Sequence, residues 1–163
     1  MEEKIVTWCV KRYFGGWKLL DEKGVVEASI RKNPRNRGVS ICGSTSGRCL
    51  DAVRQEKGSI CYLLHEDADT VACARPVFDP APLVRPPRIC RLLLDTRYGT
   101  MVMERGNPGV RVLVNGQEVG RMSAFFSLLP VSIEHNGQFS ALFWGGLFAL
   151  AEYMFHEDDY LVV

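Results

Sequence analysis

The sequence lacks the short motifs that identify the common enzyme sites. No histidine has a serine or cysteine partner at a recognised motif spacing, and the three histidines lie beside turns or acidic runs, which is typical of surface positions: His65, His135 and His156. The run GSTSG at residues 43–47 lacks the Lys-Ser/Thr that completes a phosphate-binding loop, so a turn is predicted there. We therefore predict a protein without catalytic residues and without a cofactor.

The cysteines lack the spacing of a metal site. There is no C-x-x-C pair and no histidine at zinc-finger distance from any of the six: Cys9, Cys42, Cys49, Cys61, Cys73 and Cys90. The opening MEEKIVTW has no basic stretch followed by an apolar one, so no secretory signal is recognised and a cytoplasmic location is expected. In that compartment cysteines stay reduced, and we predict six structural thiols and no metal.

A hydrophobic run long enough to cross a membrane is also lacking. Residues 139–155 are strongly apolar, but the uninterrupted part, 141–151, falls well short of the ~18–20 residues that a span needs. The run leaves no polar stripe, and a helix that is apolar all round lies in a protein core or in lipid. We predict a core helix at about residues 138–157, with a membrane anchor as the alternative.

What the sequence does contain is a series of short strand-like runs separated by turn signals. The 163 residues fit one domain, and 47% hydrophobic with 24% charged residues is a globular composition. Asn115-Gly116 predicts a hairpin that pairs Val110–Val114 with Gln117–Met122. Strands are expected over residues 4–135 without alternating helices, which indicates an antiparallel sandwich or barrel. Residues 76–87 hold five of the eight prolines, so an irregular connection is predicted there.

The net charge of +1 conceals an uneven distribution. Residues 1–110 carry 18 Lys and Arg against 13 Asp and Glu, whereas residues 111–163 carry 2 against 6. The densest basic cluster comprises Arg31, Lys32, Arg35 and Arg37. Such a cluster is a candidate contact for phosphates or anionic lipid headgroups, and solvated loop charges are the alternative interpretation.

Three runs carry a resemblance to a known family: YFGGWKLLDEKG at residues 13–24, VLVNGQEVG at 112–120 and ALFWGGLFALAE at 141–152. Together with the strand-rich middle, they resemble the tubby-like superfamily, particularly its LURP-one-related and scramblase-like branch. The resemblance implies one domain over residues 1–163, a mainly β fold in which a closed antiparallel barrel surrounds a hydrophobic C-terminal helix. It also implies binding of phosphoinositides through basic residues.

These observations predict a non-enzymatic β-barrel module that binds a protein partner or an anionic phospholipid surface, with Arg31, Lys32, Arg35 and Arg37 as the contact. The expected protein is cytoplasmic or peripheral at a membrane, has no nucleic-acid partner and has no stable membrane span. The alternatives are a small β-barrel enzyme or ligand carrier, whose pocket opens at the barrel end, and a protein anchored in the membrane by its C-terminal helix.

Overall fold

A computed structural model describes residues 4–33, 38–79, 88–106, 109–123 and 130–156. Within these ranges the chain forms twelve β-strands and then one α-helix, α1 (Ala141–His156). The strands are β1 (Val6–Tyr13), β2 (Gly16–Leu20), β3 (Val26–Lys32), β4 (Val39–Gly43), β5 (Cys49–Gln55), β6 (Cys61–Glu66), β7 (Asp69–Phe78), β8 (Ile89–Thr96), β9 (Gly99–Arg105), β10 (Val110–Val114), β11 (Gln117–Met122) and β12 (Val131–His135).

The strands form a closed antiparallel barrel. Each strand pairs with the next one in sequence, and β12 pairs with β1 to close the ring, with His135 opposite Val6 and Val131 opposite Val10. The predicted Asn115-Gly116 hairpin is present, with Val114 opposite Gln117, and the positive φ of Asn115 (50°) and Gly116 (83°) is what such a turn requires. The prediction of a mainly β fold, a closed barrel around a C-terminal helix, is confirmed.

Because successive strands are antiparallel, their connections alternate between the two ends of the barrel. The β1–β2 turn at Phe14-Gly15 lies at one end, together with the last turn of α1, and we call it the Phe14 end. The β2–β3 turn, which contains Val25, lies at the opposite end, as does the residue that precedes the helix, Ser140. The two ends therefore carry different residues and can serve different roles.

Helix α1 is enclosed by the barrel, as predicted. Twelve of its residues are buried, from Leu142 through Ala151 together with Tyr153 and Met154. Ser140 begins the helix, because its hydroxyl accepts a hydrogen bond from the Phe143 amide (3.2 Å). Near the other end of the helix, the Tyr153 hydroxyl donates to the Ala52 carbonyl (3.3 Å), which satisfies a polar group inside the barrel.

Two glycines let the barrel strands approach the helix closely. A Cβ placed on Gly145 would lie 2.6 Å from Cγ2 of Ile41, and one placed on Gly146 would lie 2.9 Å from Cδ1 of Leu64. Gly120, on β11, makes the reciprocal approach, since its Cβ would lie 2.5 Å from the ring of Trp144. These contacts explain why glycine occupies mid-helix positions, where it costs about 1 kcal/mol relative to alanine.

The prediction of an irregular connection over residues 76–87 is wrong at its start. β7 extends through Phe78, and Pro76 lies opposite Leu92 on β8. A register shift between Val77 and Phe78 marks the place where the pairing becomes irregular, which is where proline is tolerated in a sheet. Residues 80–87 lie outside the described part of the chain.

The prediction that all six cysteines are thiols is wrong for one pair. Cys42 on β4 and Cys49 on β5 lie directly opposite each other and form a disulfide, whereas Cys9, Cys61, Cys73 and Cys90 are free. The pairing depends on the β4–β5 register, because the two residues are seven positions apart in sequence and become neighbours only in the hairpin.

His135 also departs from its predicted surface position. It is 3% exposed, and its ring lies 4.0 Å from that of Trp8 and 5.4 Å from that of Trp144. Its Nδ1 accepts a hydrogen bond from the Gly137 amide (3.0 Å), while Nε2 has no partner among the described residues. Burial among aromatic rings disfavours the charged imidazolium and lowers the pKa of His135 below its usual 6.5.

The close approach at Gly146 predicts that Gly146→Leu destabilises the protein. The added side chain has no room beside Leu64 and Leu50, and we expect a net loss of about 1–3 kcal/mol in the free energy of unfolding, despite the better helix propensity of leucine. Ala141→Leu, at a half-buried position in the first turn of the same helix, should change stability by less than about 0.5 kcal/mol. Equal melting temperatures for the wild type and Gly146→Leu would contradict enclosure of the helix.

The lowered pKa of His135 predicts a loss of stability in mild acid. In the unfolded chain His135 takes up a proton near pH 6.5, whereas in the folded chain its burial disfavours the proton. The contribution of His135 to the free energy of unfolding is therefore complete above pH 6.5, and it is lost as the pH falls toward the folded-state pKa. Urea unfolding of the wild type between pH 8 and pH 5 measures this slope. His135→Asn keeps an acceptor for the Gly137 amide but cannot titrate, and its unfolding free energy should vary less with pH; an equal slope in both proteins would rule out His135 as the origin.

Candidate functional site

Strands β1, β2 and β3 bring five cationic side chains together near the Phe14 end, and we call them the basic face: Lys11, Arg12, Lys18, Arg31 and Lys32. The register places Lys11 directly opposite Lys18 and places Arg31 opposite Gly16. Four of the side chains are exposed and Lys18 is half-buried. Like charges directly opposite each other on paired strands repel, so this arrangement costs stability rather than adding to it.

The alternation of side chains along the strands divides the basic face into two parts. Val10 and Ile30 are buried against the helix, and Arg12 and Lys32 follow them by two residues on the same side of the sheet. These two cations therefore lie at the mouth of the barrel. The other three, Lys11, Lys18 and Arg31, are on the outer side of the barrel wall.

Aromatic rings hold several of these cations in place. Lys32 Nζ lies 5.1 Å from the ring centroid of Trp17, and the guanidinium carbon of Arg12 lies 6.0 Å from the same ring. Lys18 Nζ lies 4.8 Å from the ring centroid of Tyr13. Attraction between a cation and the face of an aromatic ring orients the charge but leaves it uncompensated, because the ring carries no net charge.

No ion pair connects any of the five cations to a carboxylate within the described ranges. Five arginines elsewhere contact acidic side chains: Arg48 with Glu66 (2.7 Å), Arg54 with Glu56, Arg75 with Asp95 (3.6 Å), Arg111 with Glu104 (3.5 Å) and Arg121 with Glu118 (2.8 Å). The Glu66 carboxylate raises the pKa of Arg48, while Arg48 lowers the pKa of Glu66. What distinguishes the basic face is that five cations without an ion pair to a described carboxylate lie together on three neighbouring strands.

A cleft of about 600 Å³ opens at the mouth of the barrel beside Arg12, Trp17 and Lys32. The end of α1 forms the floor of the cleft, where His156 Nε2 lies 3.3 Å from Glu152 Oε2. Glu152 and the carbonyl groups of the last helical turn are negative, so they offset part of the charge of Arg12 and Lys32. The three outer cations have no such compensation and are the better contact for an external anion.

The structure describes two of the four residues in the predicted basic cluster. Arg31 and Lys32 belong to the basic face, whereas Arg35 and Arg37 lie outside the described residues, between Asn33 and Gly38, which line the cleft. Lys11, Arg12 and Lys18 were missed because they are distant from residue 31 in sequence. The Gly15-Gly16 dipeptide could have indicated their proximity, because a tight hairpin at Phe14-Gly15 places Lys11 beside Lys18.

The cleft contains the ionisable side chains of Glu152 and His156. Its described lining contains no serine, threonine or cysteine beside His156. Elsewhere, His65 Nδ1 lies 3.3 Å from the Thr70 hydroxyl on the outer wall, but this pair is not at the cleft. Over the described ranges, no three His, Cys, Asp or Glu side chains are placed to hold a metal ion.

None of the described helices is both long and apolar enough to span a lipid bilayer. No protein-family model matches the chain, and no curated protein matches it significantly. The tubby-like resemblance thus remains a prediction from the sequence, while the barrel with its central helix is observed.

Proposed function

We propose that this protein is a non-enzymatic module that binds anionic phospholipid surfaces through the basic face. The observation that carries the proposal is the clustering of five cations without described carboxylate partners on three neighbouring strands, in a barrel where Arg75, Arg111 and Arg121 each contact a carboxylate. A membrane surface rich in anionic lipid supplies the missing negative charge over a wide area. The basic face contacts that surface without any rearrangement of the barrel.

The shape of the site also favours a surface over a small ligand. Helix α1 fills the barrel interior, where a ligand carrier would hold its cargo. Lys11, Lys18 and Arg31 lie on the outer wall rather than in a pocket, so they can contact several headgroups at once. The resemblance to tubby-like proteins supports the same class of partner, a phosphoinositide or another anionic phospholipid, and a protein peripheral at the membrane.

The proposal predicts that removing the outer charges strongly weakens binding to anionic vesicles. Each basic side chain near an anionic surface contributes about 1 kcal/mol, so Lys11→Gln, Lys18→Gln and Arg31→Gln together should weaken partitioning by about 100-fold at low ionic strength. Co-sedimentation with phosphatidylcholine vesicles, with and without phosphatidylserine, measures this change. Binding of the wild type should fall steeply as salt is raised, because exposed charges are screened beyond about 8 Å at 0.15 M.

A second triple variant provides the matched control. Arg75→Gln, Arg111→Gln and Arg121→Gln remove the same net charge from strands β7, β10 and β11, where the arginines are already paired. This variant should bind almost as the wild type does. If the two triple variants lost binding equally, net charge rather than the basic face would be responsible. Equal sedimentation of the wild type with neutral and anionic vesicles would refute the proposed function.

A further inference from the structure

Phe14 occupies an unusual place for a large apolar side chain. It lies at the apex of the β1–β2 hairpin and is fully exposed, and the positive φ of Gly15 (84°) reverses the chain directly after it. Other tight turns of the barrel carry polar residues at the corresponding place, such as Asp67 between β6 and β7 and Asn115 between β10 and β11. Packing within the described protein does not account for a phenylalanine here.

The residues around Phe14 are arranged like those of a membrane interface. Tyr13, beside it, is 46% exposed, and Trp17 lies across the hairpin from Arg12. Lys18 and Lys32 hold their charges over these two rings. Tyrosine and tryptophan favour the headgroup region, lysine and arginine favour lipid phosphates, and phenylalanine favours the acyl boundary beneath them. From the apex of the hairpin toward the barrel, the side chains are therefore first apolar (Phe14), then amphipathic (Tyr13 and Trp17) and then cationic.

We propose that the β1–β2 hairpin is a membrane wedge in which the Phe14 ring inserts below the headgroups while the basic face contacts the lipid phosphates. This inference rests on the proposed function, since insertion follows electrostatic attachment. It adds an apolar anchor to that attachment and fixes the orientation of the barrel, with the Phe14 end toward the bilayer. Insertion breaks no strand pairing, because Tyr13 remains opposite Gly16.

A bilayer suits this tip better than a folded protein partner does. One ring at the apex of a two-residue turn presents a small contact area, whereas a stable protein interface buries about 1,600 Å² in total and needs a complementary pocket. A fluid bilayer closes around an inserted ring without such a pocket. The uncompensated outer cations beside the tip, Lys11, Lys18 and Arg31, complement the negative lipid surface, which fixes the bilayer as the occupant.

Phe14→Ala and Phe14→Leu test the wedge. Because Phe14 is fully exposed, neither change should alter the melting temperature. Phe14→Ala should weaken partitioning into phosphatidylserine-containing vesicles by about tenfold, and Phe14→Leu should retain most of the binding, because burial of a large apolar side chain is what is lost. Val25→Ala, at an exposed apolar residue in the turn at the opposite end, is the matched control and should bind as the wild type does.

Two further measurements separate insertion from electrostatic attachment. Phe14→Ala should weaken partitioning into anionic vesicles by the same factor at low and at high salt. In the triple variant that lacks the charges of Lys11, Lys18 and Arg31, partitioning should depend less on salt than it does in the wild type. Phe14→Trp should gain fluorescence that lipids brominated along their acyl chains quench, relative to the wild type. If the wild type binds anionic vesicles but Phe14→Ala binds equally well and Phe14→Trp is not quenched, the wedge is wrong and the proposed function stands. If the wild type does not bind anionic vesicles, both are wrong.

Discussion

Enclosure of one apolar helix is the constraint on which the rest of this structure depends. Helix α1 is buried around its whole circumference, so it needs apolar contacts on every side. A single open sheet covers one side of a helix and a sandwich covers two. A closed ring of strands covers all sides, and it also removes the unpaired edges that an open sheet would expose. The barrel and the helix therefore require each other.

The same constraint decides where function can lie. Since α1 occupies the interior, with Gly145 and Gly146 in close contact with strand side chains, its buried side chains take up the space where a ligand would lie among the described residues. Binding is left to the outer wall and to the two ends. At the Phe14 end the cleft, the exposed Phe14 and the basic face lie together, so this end combines shape, apolar surface and charge.

Local patterns in the sequence predicted local structure well. The Asn115-Gly116 turn depends on two adjacent residues, and the apolar run of α1 depends on one continuous segment, so both could be predicted. Closure between β1 and β12 joins residues more than 120 positions apart, and it followed from the tubby-like resemblance rather than from spacing. The Cys42–Cys49 disulfide and the burial of His135 were missed because each depends on strand register and on side chains from other strands. For the same reason only Arg31 and Lys32 of the basic face were found.

The position of the cations in the basic face gives the strongest physical reason to regard it as a binding site. Arg12 and Lys32 lie on the inner side of their strands, which carries buried apolar residues nearer the middle of the barrel. Lys11 lies opposite Lys18 with no carboxylate between them. The opposition of Lys11 and Lys18 is unfavourable for the isolated chain, whereas Arg75 and Arg111 lie beside acidic partners. Departures from local stability rules tend to mark functional sites. An anionic surface would relieve the repulsion within the basic face, so binding there gains free energy that a face of paired charges could not supply.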